Sequence, residues 1–197
     1  MFKHVLCPPE AWDTIPGVQL LKIVEAYALR GEDVAPSLGS YGIDGPLKPD
    51  TPVDYRRAMA WMDHVLESHP QRGLGLLFEH LQTPLDNGIV GYAIVSSETV
   101  GEAIVERIRF AALLRPYFGL ELREAGAGMV GVSLVEPEPP ILGPHARMFC
   151  MERDLASWAG VGRRFVGQER LLEAVSCAYP GPMMRELYHE VVVCPVR

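Results

Sequence analysis

Residues 126–131 read GAGMVG, which has the G-x-G-x-x-G spacing of a dinucleotide-binding turn. That turn needs a strand before it and a helix that opens inside it, so that the helix N-terminus can hold a pyrophosphate. Residues 120–123 alternate apolar and polar side chains as a strand would, but residues 132–135 continue with a second alternating, β-rich run. The pattern therefore favours a β-hairpin with strands near 119–124 and 129–135, whose glycines supply the positive φ angles of the turn.

The other residue types that could do chemistry form no catalytic or metal-binding pattern. No two of the six histidines take the H-E-x-x-H spacing, and His64 and His69 lie on different faces of one predicted helix. Ser96 and Ser97 precede an amphipathic helix without G-x-S-x-G, as capping residues do. Cys150 falls on an apolar helix face, where a thiol is usually inert. We therefore expect no catalytic residue, no metal site and no cofactor, and we expect that the chain is not an enzyme.

Composition narrows the function classes further. The chain has 197 residues, of which 48% are hydrophobic, enough to bury a core. Its net charge of −7 argues against direct nucleic-acid binding, since phosphate contacts need a basic face. It contains no apolar run of about 18 residues, so we expect no membrane partner, and its first residues have no long apolar stretch, so we expect no secretion. Four separated cysteines without C-x-x-C are typical of a reduced, cytoplasmic protein.

Apolar residues repeat at helical spacing in the first half of the chain. The repeats predict helices within residues 16–33, 51–70 and 72–81. For the second helix we expect Thr51 as the N-cap and Pro52 at the first helical position, where a missing N–H costs nothing.

The second half of the chain mixes helical and strand patterns. The strongest helix pattern lies at 97–115, where Thr99 and Glu102 are spaced as a capping box. After the hairpin the sequence predicts, in order, a helix at 144–164, a strand at 171–179, a short helix at 180–191 that Pro182 can start, and the beginning of a strand at 191–197. The predicted fold class is α+β: N-terminal helices, then a β-hairpin, helix, strand, helix and strand around one mixed or antiparallel sheet.

Bulky, soft and aromatic residues on these elements could line a largely apolar small-molecule cavity. The candidate ligand-binding residues are Tyr92, Arg109, Phe110, Tyr117, Phe118, Met148, Phe149, Met151 and Trp158. Arg109, together with Arg115, could orient an anionic group on a ligand. An ordinary hydrophobic core would use the same apolar residue types, so both interpretations stay open.

Two segments resemble the arabinose-binding-like sensor domain of AraC-type transcriptional regulators. Residues 88–122 read GIVGYAIVSSETVGEAIVERIRFAALLRPYFGLEL, in which G-x-x-G-Y-A precedes Ser-Ser, Thr and a Glu-Ala helix that leads into a hairpin. Residues 173–197 read EAVSCAYPGPMMRELYHEVVVCPVR, with a Pro-rich turn, a Tyr-bearing helix and a closing Cys-Pro-Val-Arg. The resemblance covers residues 16–197.

The resemblance implies a one-component regulator whose sensor domain controls helix-turn-helix motifs. Residues 1–197 would form a single effector-binding and dimerisation domain with an N-terminal arm at 1–15. It would bind a small, largely apolar or amphiphilic effector and form a homodimer, and it would reach DNA only through a C-terminal domain that is absent from this chain. The alternatives are a stand-alone small-molecule-binding or dimerisation protein, and an enzyme with an unrecognised site.

Overall fold

A computed structural model describes residues 2–3, 13–71, 73–114, 117–126, 128–136, 140, 142–161, 163, 167, 172–176 and 185–195. Its strands are β1 (Phe2–Lys3), β2 (Thr14–Pro16), β3 (Pro52–Asp54), β4 (Gly119–Gly126) and β5 (Met129–Val135). Its α-helices are α1 (Val18–Ala28), α2 (Tyr55–Ser68), α3 (Phe78–Leu81), α4 (Gly88–Val95), α5 (Val100–Arg109), α6 (Ala111–Leu114), α7 (Pro144–Val161) and α8 (Arg185–Val192). Within the described ranges, 3₁₀ turns lie at Ala35–Tyr41, Gly75–Leu77 and Pro84–Asn87. The α+β class is confirmed.

The Gly-rich motif forms the turn of a β-hairpin, as its context predicts. β4 and β5 pair antiparallel, and Gly126 and Gly128 have φ angles of 77° and 76°, which a residue with a Cβ rarely adopts. The described strands form two antiparallel sheets, β1-β4-β5 and β2-β3, where the sequence predicted one. The second sheet arises because Pro52–Asp54 pairs with Thr14–Pro16 before α2 begins.

That pairing also moves the start of α2. The prediction of Thr51 as its cap and Pro52 as its first residue is wrong. Asp54 is the N-cap, and its Oδ1 accepts a hydrogen bond of 2.9 Å from the backbone N–H of Arg57. Thr51 instead accepts a 3.0 Å hydrogen bond from the backbone N–H of Lys48 in the preceding loop.

The C-terminal strands expected at 171–179 and 191–197 are not observed in the described part of those ranges. Residues 172–176 contain a single bridge residue, Val175, whose N–H donates to the carbonyl of Pro195 at 3.0 Å. Val191 and Val192 continue α8, because helical spacing buries them with Tyr188. Pro182 lies outside the described residues.

The core forms where α2 and α7 pack together, with α1 and α3 alongside. Trp61 is fully buried and donates its indole N–H to the Ser37 hydroxyl at 2.8 Å. Phe78 and Phe149 meet edge to face with ring centroids 5.2 Å apart, which fixes α3 on α7. Helix α7 is therefore anchored on one side, and its other side is available to form a site. None of the helices in the described ranges is both long and apolar enough to cross a membrane.

Candidate ligand-binding site

A cavity of about 90 Å³ opens between α5, α7 and the 3₁₀ turn at Pro84–Asn87. One water molecule needs roughly 10–15 Å³, so this space can hold a small organic molecule. The apolar part of the wall includes Ile94, Val100, Ala103, Ile104, Leu114 and Trp158. The polar part includes Gln19, Gln82, Arg107, Arg153, Asp154 and Ser157.

Helix α5 supplies one wall through a single stripe of its surface. The predicted capping box is confirmed, because the Thr99 hydroxyl accepts from the Glu102 N–H at 3.1 Å and the Glu102 carboxylate accepts from the Thr99 N–H at 3.3 Å. From that start, Val100, Ala103 and Ile104 recur at helical spacing and face the cavity. The next position of the same stripe is Arg107, so helical spacing places a guanidinium group among the apolar side chains that α5 presents to the cavity.

Helix α7 supplies the opposite wall with a buried ion pair. Arg153 donates to the Asp154 carboxylate at 3.1 Å and to the Gln19 side-chain oxygen at 3.3 Å. Its guanidinium also lies 4.9 Å from the centre of the Tyr117 ring. Both members of the pair are buried, so neighbouring groups replace the water that they lose.

Arg107 makes fewer and longer polar contacts than Arg153. Its Nη2 lies 4.0 Å from the second oxygen of Asp154, and its Cζ lies over the Trp158 ring, 4.7 Å from the ring centre. No residue that the structure describes accepts a hydrogen bond from Arg107, although its side chain is only 20% exposed. Burial lowers the pKa of Arg107, while the charge of Asp154 acts in the opposite direction.

Trp158 adds a second unused donor. Its indole N–H is buried and meets no hydrogen-bond acceptor among the described residues. Leaving a buried donor unpaired lowers stability by about 1–3 kcal/mol, so buried donors in folded proteins are usually paired. The atom is covered by protein, and a ligand that used it would have to shift the ring.

Two of the nine residues expected at a ligand site line this cavity: Tyr117 and Trp158. Phe118 and Phe149 lie in the hydrophobic core, and Met151 packs against it. The remaining four lie away from the cavity wall: Tyr92 and Met148 are exposed, Arg109 is exposed and paired with Glu106 at 3.6 Å, and Phe110 lies half-buried at the end of α5 beneath Arg109. Arg115 lies outside the described residues.

Sequence reasoning missed the charged members of the site, Arg107, Arg153 and Asp154. A signal was available for Arg107, because it lies three residues after Ile104 and seven after Val100, on the apolar stripe. An arginine at such a position either reaches solvent at a helix end or points into a cavity. The adjacent Arg153 and Asp154 interrupt an apolar helix in the same way.

The described His, Cys, Asp and Glu side chains form no metal-binding group, and the Cys150 thiol is buried and protonated. The described ranges contain no group of three or more His, Cys, Asp or Glu side chains that could hold a metal ion. Cys150 is fully buried on α7, and burial raises the pKa of its thiol to about 12. A thiolate nucleophile needs the opposite shift.

Comparison with known proteins places this fold in a family. The sequence profile described as the arabinose-binding domain of AraC transcription regulators, N-terminal, matches residues 31–197. None of the curated proteins compared with the chain matches it. The crystal structure of the transcriptional regulator CdpR from Pseudomonas aeruginosa has the same fold, with a TM-score of 0.62 and 19% sequence identity. That match covers 91% of this chain and 51% of CdpR, so the chain spans about half the length of that regulator. The family profile extends over most of the chain, through the cavity and the helices that form it, and the chain therefore belongs to the family of N-terminal arabinose-binding domains of AraC transcription regulators.

Proposed function

We propose that this domain binds a small organic effector in the cavity between α5 and α7 and reports its binding to an attached helix-turn-helix domain. The observation that carries the proposal is the composition of the cavity wall, in which the apolar stripe of α5 faces buried charged groups on α7. Small-molecule sites combine apolar walls with a few polar groups in this way. Membership of a regulator family supports a sensing role for such a cavity.

Helix α7 is the element proposed to transmit the signal. One side of it faces the cavity through Arg153 and Trp158, and another side carries Glu152, which accepts a 2.9 Å hydrogen bond from Tyr188 on α8. A change in α7 on ligand binding would therefore reach the C-terminal part of the domain. An effector shifts the regulator only if it binds one arrangement of these helices more tightly than the other.

The domain is further proposed to act as a homodimer in the cytoplasm and to perform no catalysis. Large exposed apolar side chains support an interface beside α4: Leu85, Ile89 and Tyr92 are 46%, 79% and 61% exposed. Exposed apolar groups clustered on one surface commonly mark a protein contact. Contacts to DNA would be made by the helix-turn-helix domain, since the acidic sensor has no excess of positive charge for phosphates.

The test combines ligand binding with transcription. A thermal-shift screen of the domain against small organic acids, amines, alcohols and amino acids should find a class that raises Tm. A ligand at 100 times its Kd adds about 2.7 kcal/mol to the free energy of unfolding. Ala103→Trp should fill the cavity and abolish both this shift and the effector response of a full-length regulator.

The matched control is Val105→Trp, because Val105 lies on the same helix but is 57% exposed. It should leave binding and transcription unchanged. If no compound class raises Tm, or if Ala103→Trp binds ligand as the unaltered domain does, the cavity is not the effector site.

A further inference from the structure

We propose that the effector is a small organic carboxylate whose negative group is bound by Arg107. The proposal rests on the proposed function, since it assumes that the cavity is the effector site, and it adds the chemical class of the ligand. It follows from the charges, the unused donors and the apolar surface around one guanidinium.

The charges on the cavity wall do not balance. Two guanidinium groups, those of Arg107 and Arg153, face one carboxylate, that of Asp154. No other Asp or Glu lies among the residues that line the cavity within the described ranges. A positive charge is therefore left over in a partly buried space, where an uncompensated charge is costly and an added anion is favourable.

The excess charge belongs to Arg107. Arg153 makes two hydrogen bonds and takes the shorter contact with Asp154, at 3.1 Å compared with 4.0 Å for Arg107. The contact of Arg107 is too long for a hydrogen bond. Asp154 thus neutralises Arg153 and leaves Arg107 free to pair with a ligand.

The position of Arg107 over the Trp158 ring favours a carboxylate as its ligand. The Cζ atom of its guanidinium lies over the Trp158 ring, and the N–H donors of a guanidinium lie in the plane of the group. This arrangement holds the side chain in place and keeps the donors available as a fork. Such a fork matches the two oxygens of a carboxylate with two parallel hydrogen bonds.

The remainder of the wall fits an apolar ligand body. Val100, Ala103 and Ile104 lie on the same stripe as Arg107, and Ile94 and Leu114 extend the apolar surface. A molecule with its carboxylate on Arg107 would lay its hydrocarbon part along α5. The limited volume of about 90 Å³ favours a short chain over a long one.

The experiment measures binding of chemically matched probes by calorimetry. Butyrate, hexanoate and octanoate are compared with 1-hexanol and hexylamine, using the chain itself and its Arg107→Met, Arg107→Lys and Arg109→Met variants. Arg109→Met is the matched control, because it removes an exposed arginine from the same helix. At least one of the three carboxylates should bind the unaltered domain at least about tenfold more tightly than 1-hexanol and hexylamine do, which is a difference of about 1.4 kcal/mol in binding free energy.

The variants separate the carboxylate proposal from the cavity proposal. Arg107→Met should lose carboxylate affinity by about tenfold or more without losing affinity for the alcohol, Arg107→Lys should lose less, and Arg109→Met should lose none. Circular dichroism checks the fold, and Arg107→Met should raise Tm without ligand because it removes an unbalanced buried charge. Equal binding of acid and alcohol, or unchanged carboxylate binding by Arg107→Met, would overturn the carboxylate assignment alone. Failure of every probe to bind would count against both proposals.

Discussion

Replacement of Gly75 by alanine tests how tightly the 3₁₀ turn Gly75–Leu77 packs on α7. A Cβ at Gly75 would lie 2.4 Å from the carbonyl oxygen of Phe149, 2.6 Å from Cβ of Glu152 and 2.9 Å from the backbone nitrogen of Arg153. Contacts below 3.0 Å are essentially never seen for a Cβ atom, and none of these partners can rotate away. The added methyl group therefore has to push α7 and the turn apart.

The expected cost follows from this overlap. Overpacking a core by a methyl group costs about 1–3 kcal/mol. For a domain of 150–250 residues each kcal/mol lowers Tm by about 2–4 °C, so Gly75→Ala should lower Tm by about 2–12 °C. Because one clashing atom is the backbone nitrogen of Arg153, the displacement should also disturb the cavity wall and weaken ligand binding.

Thermal and urea unfolding of Gly75→Ala measure this cost, with Gly39→Ala as the matched control. Gly39 also lies in a 3₁₀ turn, but a Cβ there would meet no atom closer than 3.7 Å. The control should change the free energy of unfolding by less than about 1 kcal/mol, in the stabilising direction, because alanine restricts the unfolded chain. Equal stability of Gly75→Ala and the unaltered domain would refute the close packing of this turn on α7.

Three further predictions concern α5 and α7. Burial raises the pKa of Glu152, so the folded state holds this proton more tightly than the unfolded state, and stability falls as pH rises above the ordinary pKa of glutamate. Urea unfolding between about pH 4 and 8 should show a smaller fall in stability for Glu152→Gln, which keeps an oxygen for the Tyr188 hydroxyl. An equal fall in the variant and the unaltered domain would contradict this prediction. Thr99→Ala removes the cap of α5 and should cost about 0.5–2 kcal/mol in the same assay, whereas no loss would mean that the cap contributes nothing. Cys150 should resist alkylation near pH 8 in the native domain and react once the domain unfolds, as mass spectrometry of its peptide can show; rapid native labelling would contradict its burial.

Elements set by local rules were predictable from the sequence. The hairpin follows from alternating residues on either side of glycines that accept positive φ, and α5 follows from its capping box and stripe. The start of α2 was not predictable from the same rules, because Thr51 and Asp54 are both good caps. The choice between them was made by the pairing of Pro52–Asp54 with a distant strand, which no local pattern reveals.

Two valines near the C-terminus show more clearly that local patterns alone do not determine secondary structure. Val191 and Val192 have high β propensity, and the sequence therefore predicted a strand. In the structure they are buried beside Leu76, Ala156 and Tyr188, and this packing favours the helix over the propensity. Tertiary contacts commonly override weak local preferences in this way.

The candidate site was only partly predictable, because the expectation followed residue size whereas several residues that line the cavity are charged. Of the six aromatic residues expected to line a cavity, two do so, Tyr117 and Trp158, whereas Phe118 and Phe149 lie in the core and Tyr92 is exposed. The charged residues that line the cavity were not singled out. A polar residue on an apolar stripe is the sharper marker, since a buried charge must be paired by the protein or by a ligand.

Glu152, Arg153 and Asp154 join α7 to three other helices, so α7 is the element through which the proposed effector site would act on the rest of the domain. Successive residues of an α-helix point about 100° apart, so these three neighbours face three directions. Glu152 bonds to Tyr188 on α8, Arg153 bonds to Gln19 on α1, and Asp154 faces Arg107 on α5. An anion that pairs with Arg107 would draw it from Asp154 and leave that carboxylate entirely to Arg153. Because all three side chains belong to one helix, a displacement of α7 caused at Asp154 would also move Glu152 and, through its hydrogen bond to Tyr188, α8.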